Sequence, residues 1–195
     1  MTQTRPFRFR TSETDPLWID SVEAGSAGGR IGMTICPGKQ GASNYGEPWK
    51  RDLKADVKTI AAWGATTVIT LTEADEMAML GISHIGDEVA AAGMRWVHMP
   101  ITDMKAPDRR FQQAWDKHGA EVLEQLRSGR RVLVHCRGGM GRAGTVAALL
   151  LINLQVPAEE AIRQVRAARQ GAIETALQVA WLTQRSAQAP GGVGS

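Results

Sequence analysis

Apolar residues recur along this chain in two rhythms, and the alternation between them predicts its elements. Short β-branched or aliphatic runs at 30–36 (RIGMTIC), 66–71 (TTVITL), 95–99 and 131–135 (RVLVH) read as buried strands. Between them, apolar positions three and four apart predict helices over 49–63, 74–80, 85–92, 108–127, 143–154, 158–168 and 175–188. Gly64 and Ser128-Gly129 stand where helices stop, and Phe111, Trp115, Val122 and Leu126 mark the apolar face of the longest one. Strands alternating with helical connections imply the α/β class: a single domain with a central, mostly parallel sheet flanked by helices. Loops at the carboxyl ends of such strands carry the chemistry. Residues 1–29 mix charge, Gly and Ser without a period and are expected to be an irregular lead-in. Residues 30–188 form the domain, and the Gly-rich 189–195 a flexible tail.

Composition narrows the classes. With 195 residues, 43% of them hydrophobic and 22% charged, the chain fills one core and not two. The net charge of +3 comes without dense Lys/Arg blocks, so nucleic acid is not an expected partner. The longest nearly uncharged stretch, 144–156, is too short for a membrane span, and the N-terminus lacks the apolar segment of a secretory signal, so a cytoplasmic protein is expected. Two cysteines, Cys36 and Cys136, are too few for a disulfide framework and lack metal-type spacing. No metal and no cofactor are expected, and at least one thiol is free for chemistry.

The strongest signal is a buried strand running into His135-Cys136-Arg137-Gly138-Gly139-Met140-Gly141-Arg142 and then an apolar helix. Three glycines let the backbone turn so that successive N–H groups of Arg137, Gly138, Gly139, Met140, Gly141 and Arg142 face one centre, and the helix N-terminus adds positive potential there. The result is a pocket for a tetrahedral oxyanion. Amide donors, helix dipole and Arg142 all favour thiolate over thiol at Cys136, which makes it the expected nucleophile. Arg142 offers a planar fork to two phosphoryl oxygens, which lysine does not. An ester leaving group also needs an acid. Two aspartates lie on the loop at 100–108: Asp108 opens a helix and has a capping duty, whereas Asp103, mid-loop, has none and is the expected acid. Cys36, with no such turn after it, is expected to pack in the core. Trp63, Trp96, Trp115 and Trp181 are likewise expected to be packing residues.

His-Cys-x5-Arg with an upstream Pro-Ile-x-Asp loop resembles the Cys-dependent protein tyrosine and dual-specificity phosphatases, and within them the kinase-associated branch related to cyclin-dependent kinase inhibitor 3. The similarity runs in order through Cys36-Pro37-Gly38-Lys39, PITDMKAPD, VHCRGGMGRAG and Gly171-Ala172-Ile173-Glu174-Thr175, about residues 31–182. The resemblance implies two steps: Cys136 takes the phosphoryl group while Asp103 protonates the departing oxygen, and Asp103 then acts as base on the water that hydrolyses the phosphocysteine. By the same resemblance His135 is an auxiliary residue influencing the thiolate, and Gln178 lies where the family often carries a water-orienting glutamine. One departure stands out: the Ser or Thr common directly after the motif arginine is Ala143 here. Thr145 lies roughly 200° further around a helix and is no simple substitute.

The expected substrate is a phosphate monoester, phosphotyrosine or phosphoserine/threonine in a protein. Arg137 beside the pocket leaves open a small polyanionic substrate such as a phosphoinositide, sugar phosphate or nucleotide. The single tyrosine, Tyr45, argues for a shallow pocket over a deep aromatic slot. Ala143 leaves open a module that binds phosphoproteins without turnover.

Overall fold

The computed structural model describes residues 8–43 and 46–186; Tyr45 and the 189–195 tail lie outside them. Strand β7 (Arg131–His135) runs through the middle of a five-stranded sheet, its last four residues buried. On one side it pairs in parallel with β2 (Gly29–Thr34), on the other with β5 (Ala65–Thr70), and β6 (Arg95–His98) extends the parallel set beyond β5. At the opposite edge β1 (Asp20–Ala24) lies antiparallel to β2, giving the order β1-β2-β7-β5-β6.

Strand β1 corrects the expectation that residues 1–29 are irregular throughout. Val22 and Ala24 are buried on alternate positions, and the Gly-rich segment after them is a hairpin turn in which Gly25 and Gly28 take φ of 76° and 79°. This two-residue alternation followed by glycines is a hairpin signal too short to stand out among the surrounding charges.

Both faces of the sheet are covered. Ile69, Val132 and Val134 point into a core built with α4 (Arg109–Arg127), α5 (Gly141–Asn153), α6 (Ala158–Ala168) and α7 (Ala176–Ser186). Their neighbours Val68 and Leu133 point the other way, into a core with α1 (Leu53–Ala62), α2 (Ala74–Met79) and α3 (Ile85–Ala91). This two-sided burial is why the central strands read as continuous apolar runs. The four tryptophans expected to pack do so, Trp115 and Trp181 against the first core, Trp63 and Trp96 against the second.

Two helix starts differ from the pattern. The first helix begins at Leu53, because Asp52 caps it by accepting from the Ala55 N–H at 2.8 Å, and Trp49–Lys50 form β4, paired with β3 (Gln40–Gly41). Helix α5 begins at Gly141, two residues early, so Gly141 and Arg142 form the first turn of a helix as well as the end of the glycine-rich loop.

Candidate active site

The strand-loop-helix unit β7–α5 builds the centre. Gly139 takes φ +70°, and a Cβ there would stand 2.3 Å from the Thr34 carbonyl oxygen, so glycine alone fits against β2. The Gly139 N–H donates to Cys136 Sγ at 3.2 Å. Cys136 is 3% exposed and lies on a cavity of about 470 Å³ that is also lined by Arg10, Lys39, Asp103, Arg137 and Glu174.

Arg142 is held as a buried fork. Its Nη1 and Nη2 donate to the two carboxylate oxygens of Glu76 at 2.6 and 2.9 Å, Nη1 also donates to the Ile101 carbonyl at 3.0 Å, and Nη2 lies 3.0 Å from Asp103 Oδ1. Nε is buried without a hydrogen-bond partner in the structure. Burial, the largest single influence, pulls the Glu76 carboxyl up, but the Arg142 hydrogen bonds, the Glu73 N–H and the Arg142 and Arg137 charges together outweigh it and hold the group below the usual carboxylate range. Glu76 was not among the residues the sequence pointed to. It comes from α2, which follows β5 at the sheet's carboxyl edge, where functional loops are expected.

The two aspartates separate as their positions imply. Asp103 is about half exposed, lines the cavity and touches Arg142; the next residue, Met104, takes φ 60° and its N–H donates back to Asp103 Oδ1 at 3.1 Å. Asp108 accepts from the N–H groups of Arg110 and Phe111 as the cap of α4 and pairs with the Arg110 side chain.

Gln178 is fully buried, and both ends of its amide are engaged: Oε1 accepts from the Thr175 N–H, and Nε2 donates to the Lys105 carbonyl. It ties α7 to the Asp103 loop, and the side chain that reaches the cavity from this region is Glu174. Its Oε2 accepts from the Gly141 N–H at 2.7 Å, so one donor of the loop faces a carboxylate. Ile173, just before it, takes φ 59°, a conformation that costs a β-branched residue on the order of 1–3 kcal/mol. Two bonds from Arg166, to the Ala172 and Ile173 carbonyls, and full burial of Ile173 hold this turn. Ala143 is buried in the first core, and the Thr145 hydroxyl donates to the Gly141 carbonyl at 2.7 Å. Cys36 is buried, as expected, and its thiol is pushed up strongly by that burial.

His135 is fully buried, its Nε2 2.8 Å from the Thr70 hydroxyl, which also receives the Trp96 indole N–H at 2.9 Å. Burial lowers its pKa to about 3, so the ring is neutral. Between the ordinary value near 6.5 and about 3 the unfolded chain binds a proton that the folded chain does not. Stability from this group is therefore complete above that window and falls with pH within it, by about 1.4 kcal/mol per pH unit. Urea denaturation at about pH 7, 6 and 5 is expected to show a shallower acid slope for His135→Asn than for the wild type; equal slopes would refute the neutral-histidine assignment.

A thiol under loop amides, a buried arginine fork and a carboxylate beside it define a Cys-dependent phosphatase class of site, on a fold that carries such sites. The family model described as "Swiss Army Knife protein, DSP-PTPase phosphatase domain" matches residues 50–182, and the chain belongs to this family. It is 30% identical over 140 residues to cyclin-dependent kinase inhibitor 3 of Sus scrofa, covering 68% of this chain and 63% of the relative. It is 29% identical over 129 residues to protein tyrosine phosphatase type IVA 3 of Homo sapiens, covering 66% and 69%. Among solved structures, kinase associated phosphatase with its catalytic-site cysteine replaced by serine superposes with a TM-score of 0.75 at 24% identity, covering 89% of this chain and 96% of that one. Tk-PTP in its active form superposes at 0.63 with 28% identity, covering 85% and 97%. The chain thus spans somewhat under two thirds of the length of the kinase inhibitor relatives it matches. Among the described residues no helix is long and apolar enough to cross a membrane.

Proposed function

We propose that this protein hydrolyses phosphate monoesters through a phosphocysteine intermediate, acting on phosphotyrosine or phosphoserine/threonine in proteins. The observation that carries the reading is that Cys136 and Asp103 line one cavity while Arg142, from the same loop as Cys136, reaches Asp103 at 3.0 Å, so two separate stretches of chain meet there. Cys136 Sγ attacks phosphorus, the bond to the ester oxygen breaks, and Asp103 delivers its proton to that oxygen. In the second step Asp103 takes a proton from water as the water displaces the sulfur. The loop amides and Arg142 hold the phosphoryl oxygens throughout, with the Arg142 plane fixed in advance by Glu76. The names of the relatives support a protein substrate. A cytoplasmic, reducing setting suits the chemistry, since both cysteines are free thiols.

Hydrolysis of para-nitrophenyl phosphate in the presence of EDTA tests this. Asp103→Asn is expected to lower kcat by roughly 10²–10³-fold, the scale of a lost general acid, while Asp108→Asn, which removes only a helix cap, stays within a few-fold of wild type. The reverse ranking would move the acid to Asp108. With no hydroxyl on Ala143 and that of Thr145 donating to the Gly141 carbonyl, a pre-steady-state burst is expected, because breakdown of the phosphocysteine is the slower step.

A further inference from the structure

The cavity over Cys136 carries more positive charge than one phosphoryl group uses. Of the cations bordering it, Arg10 is spent: it pairs with Asp15 at 3.0 Å and stacks 3.8 Å over the Trp49 ring. Arg142, assigned above to the first phosphoryl group, does not line the cavity and is paired with Glu76 and Asp103. The cavity carboxylates are spent as well, Asp103 on Arg142 and Glu174 on the Gly141 amide. That leaves Lys39 and Arg137. Lys39 is only 9% exposed; its ammonium donates to the Arg137 main-chain carbonyl at 3.4 Å and lies 5.5 Å from the Trp49 ring centre. Among the described residues neither Lys39 nor Arg137 forms an ion pair with a carboxylate.

Burying an ammonium beside a second cation without a counter-ion is unfavourable on both counts, desolvation and like-charge repulsion. Both act here: burial first and Arg137 second hold the Lys39 pKa below its ordinary value. The arrangement is nevertheless built firmly. Gly38 takes φ +70° and packs on Leu53, its N–H donating to Asp56 at 2.8 Å, and Asp56 is locked in a buried two-point pair with Arg51. The Arg51 N–H donates to the Lys39 carbonyl at 3.2 Å. A rigid loop therefore presents an unneutralised cation to the cavity, whose 470 Å³ falls within the range of about 300–1,000 Å³ typical of sites for whole small molecules.

We propose that Lys39 and Arg137 form a second anion subsite beside the Cys136 pocket, and that the favoured substrate carries a second phosphoryl group that docks there. The inference rests on the phosphatase reading for its first subsite. The chemistry it names is a pair of phosphoryl groups a few bonds apart, whether on adjacent phosphorylated residues of a peptide or on one small molecule.

Calorimetric titration with inorganic phosphate and pyrophosphate at fixed ionic strength tests the subsite without requiring turnover. Wild type is expected to bind pyrophosphate at least tenfold more tightly than phosphate. Lys39→Met, which keeps the apolar stem, and independently Arg137→Met are expected to reduce that ratio to about threefold or less, with thermal denaturation as the control for folding. An unchanged ratio in both folded variants, or no preference in wild type, overturns the subsite. In a second arm, kcat/KM is compared for a doubly phosphorylated peptide and an inositol bisphosphate, each against its singly phosphorylated counterpart. The compound whose second phosphoryl group raises kcat/KM, and loses that gain in Lys39→Met, identifies the source; no gain for either overturns the substrate assignment. A pyrophosphate preference without any para-nitrophenyl phosphate turnover would defeat the phosphatase reading and leave the subsite standing, whereas turnover without the preference would do the opposite.

Discussion

A Cys136→Ser variant is expected to lose para-nitrophenyl phosphate turnover by roughly four orders of magnitude or more while still binding phosphate in the loop. Serine is nearly isosteric, so the Gly139 N–H that contacts the sulfur at 3.2 Å remains in place, as does the Arg142 fork. What disappears is the sulfur nucleophile, intrinsically far stronger than a hydroxyl. A serine hydroxyl needs a neighbouring group to take its proton, and the adjacent histidine does not supply one: His135 Nε2 is turned to the Thr70 hydroxyl, and the ring's affinity for a proton is depressed to a pKa of about 3. The measurement is steady-state turnover together with a phosphate titration. Residual turnover within a hundredfold of wild type, with an unchanged pH profile, would mean that another group is the nucleophile.

Glu76→Ala is expected to be the most damaging change to stability. It leaves the Arg142 side chain, 1% exposed, with only the half-exposed Asp103 as counter-ion. Removing one partner of a buried pair costs about 3–5 kcal/mol, equivalent to a fall of roughly 6–20 °C in Tm for a domain of this size. Activity falls with it, because nothing else makes a two-point contact with the fork. Glu76→Gln keeps the shape and tests the charge. The Glu76 carboxyl titrates below its unfolded value, so its contribution is present above about pH 4.3 and is lost as pH falls through the lower folded value. Acid denaturation of Glu76→Gln should therefore show a flatter limb below that pH than wild type. A loss under about 1 kcal/mol for Glu76→Ala in urea would show that the pair does not hold the site.

These two residues also show how far the sequence could be read. Cys136 and Arg142 belong to one contiguous strand-loop-helix stretch, and Asp103 to a loop whose other aspartate already had a capping role, so local physics distinguished them. Glu76 and Glu174 reach the same arginine or the same cavity from α2 and the turn before α7, and only the sheet order brings those segments together. Glu174 was further concealed by Ile173, whose left-handed backbone no propensity scale predicts and which turns the carboxylate inward. Gln178 attracted notice by the family resemblance, yet its amide is engaged by Thr175 and Lys105. The helix starts moved for equally local reasons: a cap at Asp52, and a loop whose last residues already have helical backbone.

The position of β7 has a consequence for how the molecule comes into being. Its partners are separated widely along the chain, Ile31 pairing with Val132 on one side and Ile69 with Val134 on the other. During synthesis the β1–β2 hairpin and the β5–β6 pair are both made before β7 emerges, each with one apolar strand edge unfilled. Contacts of such long range make folding slow, and the open edges are the surfaces on which nascent chains associate wrongly. The strand that closes this gap ends at His135, directly before Cys136, so the event that completes the sheet also first assembles the reactive centre, and a chain stopped short of residue 131 has neither.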